Sequence, residues 1–394
     1  MNKKVVAVAA VALLAVAAVA VYVVMDKDRD SSFSVIAQVN TEGSGLYIKE
    51  SVLSDRGGLS EFYSADELGA ITIDESNAPA WSKLIMGTPG TTSIQHVQLQ
   101  TIVEEQLGLK FRLYQVGSAL KSDTVYYVSN VTNAVGALED SIINGGILWQ
   151  PQYQAIVDDA GGRFTSLALT NDIFPGHPCC ILAGSNSFLG SNEDATVRFL
   201  AGYIDGVDWV NHALEHPDSD YYQELVNLAI DKTGMAFTED TVKAALETIT
   251  YTYGSGTDDP LADLKASVSD LIDTLDALNQ LQKSVKDLGF ADSEAFVERF
   301  IDGSYLSDAL EDADVTGPRT TVTVAVIAGD IHQIALHAAM YKGFFADHGI
   351  NVSLSSAANG AGVAVSIQNG TASFGLLGAP PATIATINSQ LIKA

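Results

Sequence analysis

Thr321–Ala328 reads TVTVAVIA, and an apolar, β-branched run of this kind predicts a strand buried on both faces. It breaks at Gly329-Asp330-Ile331-His332-Gln333, and a helical pattern follows from Ile334 to Tyr341, closed by Gly343. The alternation recurs. Strand Asn351–Ser355 leads into Asn359-Gly360-Ala361-Gly362 and a helix, and strand Ala372–Leu377 leads into Gly378-Ala379-Pro380-Pro381 and another helix. Strand then helix, repeated in this way, requires parallel neighbours with crossover helices, an α/β fold. Ligands of such sheets sit beyond the carboxyl ends of the strands, where these turns lie. One helix follows the third strand before Ala394, so the pattern on its own describes half a domain.

At 394 residues the chain is long enough for two or three lobes with cores of their own. Its formal net charge of −27 argues against a nucleic-acid surface and for a self-repelling exterior. The two cysteines are adjacent, Cys179-Cys180, and make no disulfide framework. Residues 5–25 carry an apolar run preceded by Lys3-Lys4 and followed by Asp26-Lys27-Asp28-Arg29-Asp30. About 20 apolar residues span a bilayer, and the positive-inside rule puts everything after Asp26 outside the cytoplasm. The expectation is a single-pass transmembrane anchor in the cell membrane; a cleaved signal peptide is the alternative.

Ser34–Val39 predicts a strand that ends in Asn40-Thr41-Glu42-Gly43-Ser44-Gly45, with the strand pattern resuming at Leu46–Ile48. Residues 54–80 are polar and irregular and read as a linker or surface insertion. Leu84-Ile85-Met86 leads into a turn holding Thr91, Thr92 and Ser93, and the helix opening at Ile94-Gln95-His96 runs to about Leu107. A strand at Phe111–Val116, a loop, a helix near Val131–Ile143 and a short strand ending in Trp149-Gln150 complete this second unit. Asn171 to Pro178, including His177, is a stiff connection feeding a strand at Cys179–Ala183. From Glu193 to Ala313 the pattern is acidic and nearly all helical, and Asp314–Arg319 links it to the last quarter.

These turns, in this cyclic order, resemble the substrate-binding proteins of ABC importers for nitrate, sulfonates, taurine and thiamine-precursor pyrimidines. The resembling residues are the Gly-Asp-x-His-Gln turn at 329–333, Gly-Ala-x-Pro at 378–381, Gln-Val-Asn-Thr-Glu-Gly-Ser-Gly at 38–45, Pro-Gly…Ser-x-Gln-His at 89–96, Trp-x-Pro at 149–151 and His-Pro-Cys-Cys at 177–180. The family's opening piece stands last here, and reading Ile387–Ala394 straight into Ser34–Gln38 restores its order. The resemblance therefore implies a circularly permuted, two-lobed, type II periplasmic-binding-protein-like fold of the Venus-flytrap kind. A domain-swapped assembly and a truncated reading frame are the alternatives. The expected division is 33–56 in lobe 1, 75–178 as lobe 2, 181–320 as a return strand with helices on lobe 1, and 321–394 completing lobe 1. Hinges are expected near Tyr47–Val52 and Pro178–Ile181.

The resemblance implies an extracytoplasmic solute-binding protein, not an enzyme, which delivers a sulfonate-, nitrate-, taurine- or pyrimidine-like small molecule to an ABC permease and ATPase. The alternative is the sensing ectodomain of a surface signalling complex. Ligand contacts are expected from Asp330, His332, Gln333, Asn359, Gly360, Ala379 and Pro380, and from Asn40, Glu42, Gly43 and Ser44. Thr91, Thr92, Ser93, Gln95, His96, Trp149, Gln150 and His177 would complete the set. Helix N-terminal N–H groups and hydroxyls there suit anionic oxygens, yet the same residues also suit plain helix capping. None of these turns holds Arg or Lys, which leaves room for a zwitterion or a neutral heterocycle. Gly360-Ala361-Gly362 lacks the third glycine of a dinucleotide fingerprint, and neither a cofactor nor a metal is expected.

Overall fold

The computed structural model describes residues 32–67, 70–131, 142–158, 161–234, 237–255 and 259–394. The expected anchor at 5–25 and most of the helix expected near Val131–Ile143 lie outside them. No helix among the described residues is long and apolar enough to cross a membrane.

The strands of the two main sheets are, in chain order, β1 (Phe33–Glu42), β2 (Ser44–Lys49), β3 (Ile85–Gly87), β4 (Lys110–Leu113), β5 (Thr124–Val128) and β6 (Gly145–Trp149). They continue with β7 (Phe164–Leu169), β8 (Pro178–Ser185), β9 (Ile249–Tyr251), β10 (Thr320–Ile327), β11 (Ile350–Ala357) and β12 (Phe374–Gly378). The helices that matter below are α1 (Ile94–Thr101), α2 (Glu193–Glu215), α3 (Asp220–Thr233), α4 (Ala262–Ala277), α5 (Ile334–Lys342), α6 (Gly360–Gln368) and α7 (Ala379–Asn388).

One six-stranded sheet has the order β9-β1-β8-β12-β10-β11. Strand β10 runs parallel to both β11 and β12, as the strand–helix alternation requires. Strand β8 pairs antiparallel with β12 on one side and with β1 on the other, so the last strand of the chain joins the first within one molecule. The second six-stranded sheet has the order β4-β5-β3-β6-β2-β7, with β4, β5, β3 and β6 parallel.

The acidic helical stretch packs on the first lobe through α2. Gly202 and Gly206, one turn apart, let it approach α5 closely; a methyl at Gly206 would lie 2.7 Å from Ala339 Cβ, and one at Gly202 would lie 2.8 Å from the Phe345 ring. Phe199 stacks on Phe374 at 4.2 Å and on Phe345 at 5.1 Å, tying α2 to β12. Arg198, 1% exposed, reaches into the 314–319 link. It donates to Pro318 O (3.1 Å) and His348 O (3.0 Å) while pairing with Asp194.

Several expectations need correction. Strand β2 belongs to the second sheet, paired with β6 and β7, so the chain changes lobes at Gly43 and not at Tyr47–Val52. Alternating apolar residues give β2 the same pattern whichever sheet it joins. Residues 54–80 are no linker, because Phe62 is fully buried and packs edge to face on Trp81, just beyond the stretch, at 5.7 Å. The loop expected after Phe111–Val116 contains β5, whose TVYYV sequence is itself strand-like. Strands β7 and β9 were likewise not expected. Helix α1 stops at Thr101 and continues as a π-helical turn, Ile102–Gln106.

Candidate functional site: a cleft between the two lobes

A cavity of about 520 Å³ lies where the carboxyl ends of the parallel strands in both sheets meet. From the first lobe come Ile327 at the end of β10, Asp330 and His332 after it, Ala358, Asn359 and Gly360 after β11, and Gly378 and Pro381 around the start of α7. From the second lobe come Pro89 to Gln95 after β3, Ser129 and Asn130 after β5, and Trp149 at the end of β6. Cys179 and Cys180, at the start of β8, border it too.

Of the expected contacts, Asp330, His332, Asn359, Gly360, Thr91, Thr92, Ser93, Gln95 and Trp149 line this cavity. The others do not, and their bonds give the reason. His96 faces the core against Phe111 and Tyr127, with Nδ1 3.1 Å from Thr88 Oγ1, and burial pulls its pKa down to about 4. Gln333 ties the sheet together, donating to Leu376 O (3.3 Å) and accepting from Ile327 N (3.2 Å). Gln150 donates to Thr248 Oγ1 (3.0 Å), and Glu42 accepts from Gly176 N (3.2 Å) across the two chain crossings. Ser44 accepts from Gln95 Nε2 (2.9 Å), which leaves it one residue behind the wall. Asn40 is wholly buried, and its Oδ1 has no partner among the described residues. His177 donates through Nδ1 to Phe174 O (2.8 Å), and its Nε2 is also without a partner among the described residues. Burial pulls the His177 pKa down to about 4. Ala379 and Pro380 are buried in the first turn of α7; Pro380 and Pro381 supply no N–H there, so this helix start is a poor anion cradle.

Two cavity residues act as caps. Ser93 accepts from His96 N (3.2 Å) and Asn359 accepts from Gly362 N (3.0 Å). Asp330 likewise accepts from His332 N (3.0 Å), and it also accepts from His332 Nδ1 at 2.7 Å. The other ring nitrogen, Nε2, lies 3.1 Å from Gly43 O. Both partners are acceptors, so the geometry fits an imidazolium. Burial opposes that charge, but Cys179, Asp330 and the Gly43 carbonyl outweigh it and hold the His332 pKa up to about 9. A hydrogen bond from Cys180 holds the Cys179 thiol below its ordinary value, helped by His332 and Asn40, while Cys180 is pushed up. Among the described residues no Lys or Arg lines the cavity.

Ser129, Asn130 and the cysteine pair are cleft residues that no sequence pattern announces. The first two follow the unexpected β5, and the cysteines reach the cleft through a bulge.

Residues 6–222 match the NMT1-like family and residues 331–391 match the NMT1/THI5 like family. The chain belongs to the NMT1-like family. No curated protein matches it. Among solved structures it is similar to the ligand-binding component of an ABC-type import system from Staphylococcus aureus, with zinc bound. That match has 14% identity and a TM-score of 0.42, and covers 72% of this chain and 76% of the other. It is also similar to the periplasmic nitrate-binding protein NrtA from Synechocystis PCC 6803, with 12% identity, a TM-score of 0.48, and 73% and 69% covered.

Proposed function

We propose that this protein is an extracytoplasmic solute receptor that holds a small molecule between its two lobes and presents it to an ABC permease. The observation that carries this is the shared cavity: strand ends from both sheets border one space of about 520 Å³. That volume suits a small organic molecule. The lobes are joined through Gly43 and the 170–178 segment, a connection that suits hinge closure around a ligand. A chain order in which β10 to β12 complete the sheet begun by β1 and β8 supports a circular permutation of the family arrangement. An anchor at residues 5–25 would hold the receptor at the membrane.

Among the described residues the cavity's charged side chains are Asp330 and His332, which face each other, and the rest of its polar lining is hydroxyl, amide, thiol and backbone. We therefore favour a neutral or zwitterionic ligand, with Trp149 as a stacking face, over nitrate or a sulfonate. The test is a thermal-shift screen of residues 31–394 against nitrate, bicarbonate, alkylsulfonates, taurine and aminopyrimidines. A compound at 100 times its Kd stabilises by about 2.7 kcal/mol. A shift with an aminopyrimidine or taurine and none with nitrate supports the reading; a shift with nitrate alone overturns the charge argument.

A further inference from the structure

Successive side chains of a strand normally point to opposite faces. Cys179 and Cys180 depart from this. In the β1–β8 ladder Asn40 pairs with Cys180 and Thr41 with Pro178, so Cys179 has no opposite number and the ladder is irregular there. An extra residue of this kind re-aims its side chain. Both residues line the cavity, their sulfurs lie 3.8 Å apart, and they are the chain's two cysteines, free of any disulfide and 3% and 5% exposed.

The pair is poorly placed for a disulfide with itself. Neighbouring Cα atoms sit about 3.8 Å apart, below the usual disulfide range. Cys180 is also held in two ladders, by Asn40 and by Gly378, so drawing the sulfurs together would distort the middle of the sheet. A tetrahedral metal ion would need further ligands, and no group of three His, Cys, Asp or Glu among the described residues could hold one. A pyramidal, soft centre that needs two sulfurs and brings its own third group fits what is there.

We propose that the cleft floor carries a two-thiol site that condenses with trivalent oxyacids of the R–As(OH)2 class. Two S–As bonds form and two As–O bonds break; each thiol proton leaves with a hydroxide as water, and nothing is oxidised or reduced. Cys179 attacks first: the two sulfurs lie within hydrogen-bonding distance, and the neighbouring Cys180 and His332 both favour the Cys179 thiolate. The Cys180 sulfur then closes the ring. Trp149 borders the same space and reports occupation.

The probe is phenylarsonous acid, added to the folded protein without denaturant. The expected result is one equivalent per chain by intact mass, with two waters lost, both thiols blocked and Trp149 emission changed. The adduct should survive excess monothiol and be removed by a dithiol. Cys179→Ser and Cys180→Ser should each bind about 100-fold more weakly, since the second bond is then no longer intramolecular. Labelling only in urea, or an adduct that monothiol removes, overturns the proposal. The monothiol-against-dithiol comparison uses the unaltered protein and decides the matter even where a variant fails to fold.

Discussion

Nε2 of His332 lies 3.1 Å from the carbonyl oxygen of Gly43, which joins the turn after β10 to the point where the chain leaves one sheet for the other. Nδ1 of the same ring is fixed by Asp330 at 2.7 Å. The imidazolium is therefore a pin between the ligand cleft and the lobe crossing. Asp330→Asn removes one of the charges that, with Cys179, hold the proton. We expect the His332 pKa, followed by NMR, to fall from about 9 toward or below its ordinary value, with a loss of about 2–4 kcal/mol in urea unfolding. An unmoved titration would show that Asp330 does not hold the proton.

The same histidine sets the alkaline side of the stability profile. Its folded pKa is raised from 6.5 to about 9, so the folded state keeps a proton that the unfolded state loses. Its contribution is full below pH 6.5 and lost as pH rises toward 9. It is worth on the order of 3 kcal/mol. His96, His177 and His337 are depressed to about 4, chiefly by burial, so each stabilises above pH 6.5 and its contribution is lost as pH falls through 4. Urea midpoints across this range should form a dome with its top near pH 6.5, and His332→Gln should flatten only the alkaline arm.

Gly43 has φ +84°, and a methyl group there would overlap His332 Nε2 and lie 2.7 Å from Ile249 Cγ1. Gly43→Ala should cost about 1–3 kcal/mol. It should also displace the His332 ring, read as a lowered His332 pKa. A purely local backbone penalty would leave that titration unchanged.

Arg198→Met keeps the bulk and removes the donors. The carbonyls of Pro318, His348 and Gly349 then lose a charged partner, and we expect a loss of about 2–4 kcal/mol. Hydrogen exchange should quicken first in residues 314–320, the segment that Arg198 holds. Uniform exchange would place the role of Arg198 elsewhere.

Trp149 is the tryptophan of the cleft; Trp81 is fully buried and Trp209 lies under Lys342 at 5.1 Å. A ligand that enters the cavity should change emission in the native protein and not in Trp149→Phe, whose Kd should rise about tenfold through loss of a stacking face. A signal that survives the substitution would put the binding elsewhere.

What the sequence disclosed follows from the range over which each feature is determined. The buried strand β10, the helix after it and the turns at Asp330, Asn359 and Ser93 are written in runs of a few residues, and they were readable. The lobe to which β2 belongs depends on partners about a hundred residues away, β6 and β7, and its own alternation is silent on that. Polar type misled at His96, Gln150 and Gln333. A bond to Thr88, Thr248 or Leu376, the last two far away in sequence, makes each residue part of the frame. The strand that Cys179 and Cys180 open is legible in the sequence, whereas their place at the cleft follows from an irregularity in its pairing with β1.

The central position of β12 in the first sheet has a consequence for how the molecule comes into being. On the ribosome β1 and β8 emerge early, and the strand that must lie beside β8 is made about 190 residues later, after every helix from α2 to α6. Until then the inner edge of β8, Cys180 to Gly184, stays open to any passing strand. The second lobe can close its own sheet at β7 while synthesis continues. The first must wait for β12, so the cleft cannot form before that strand is made.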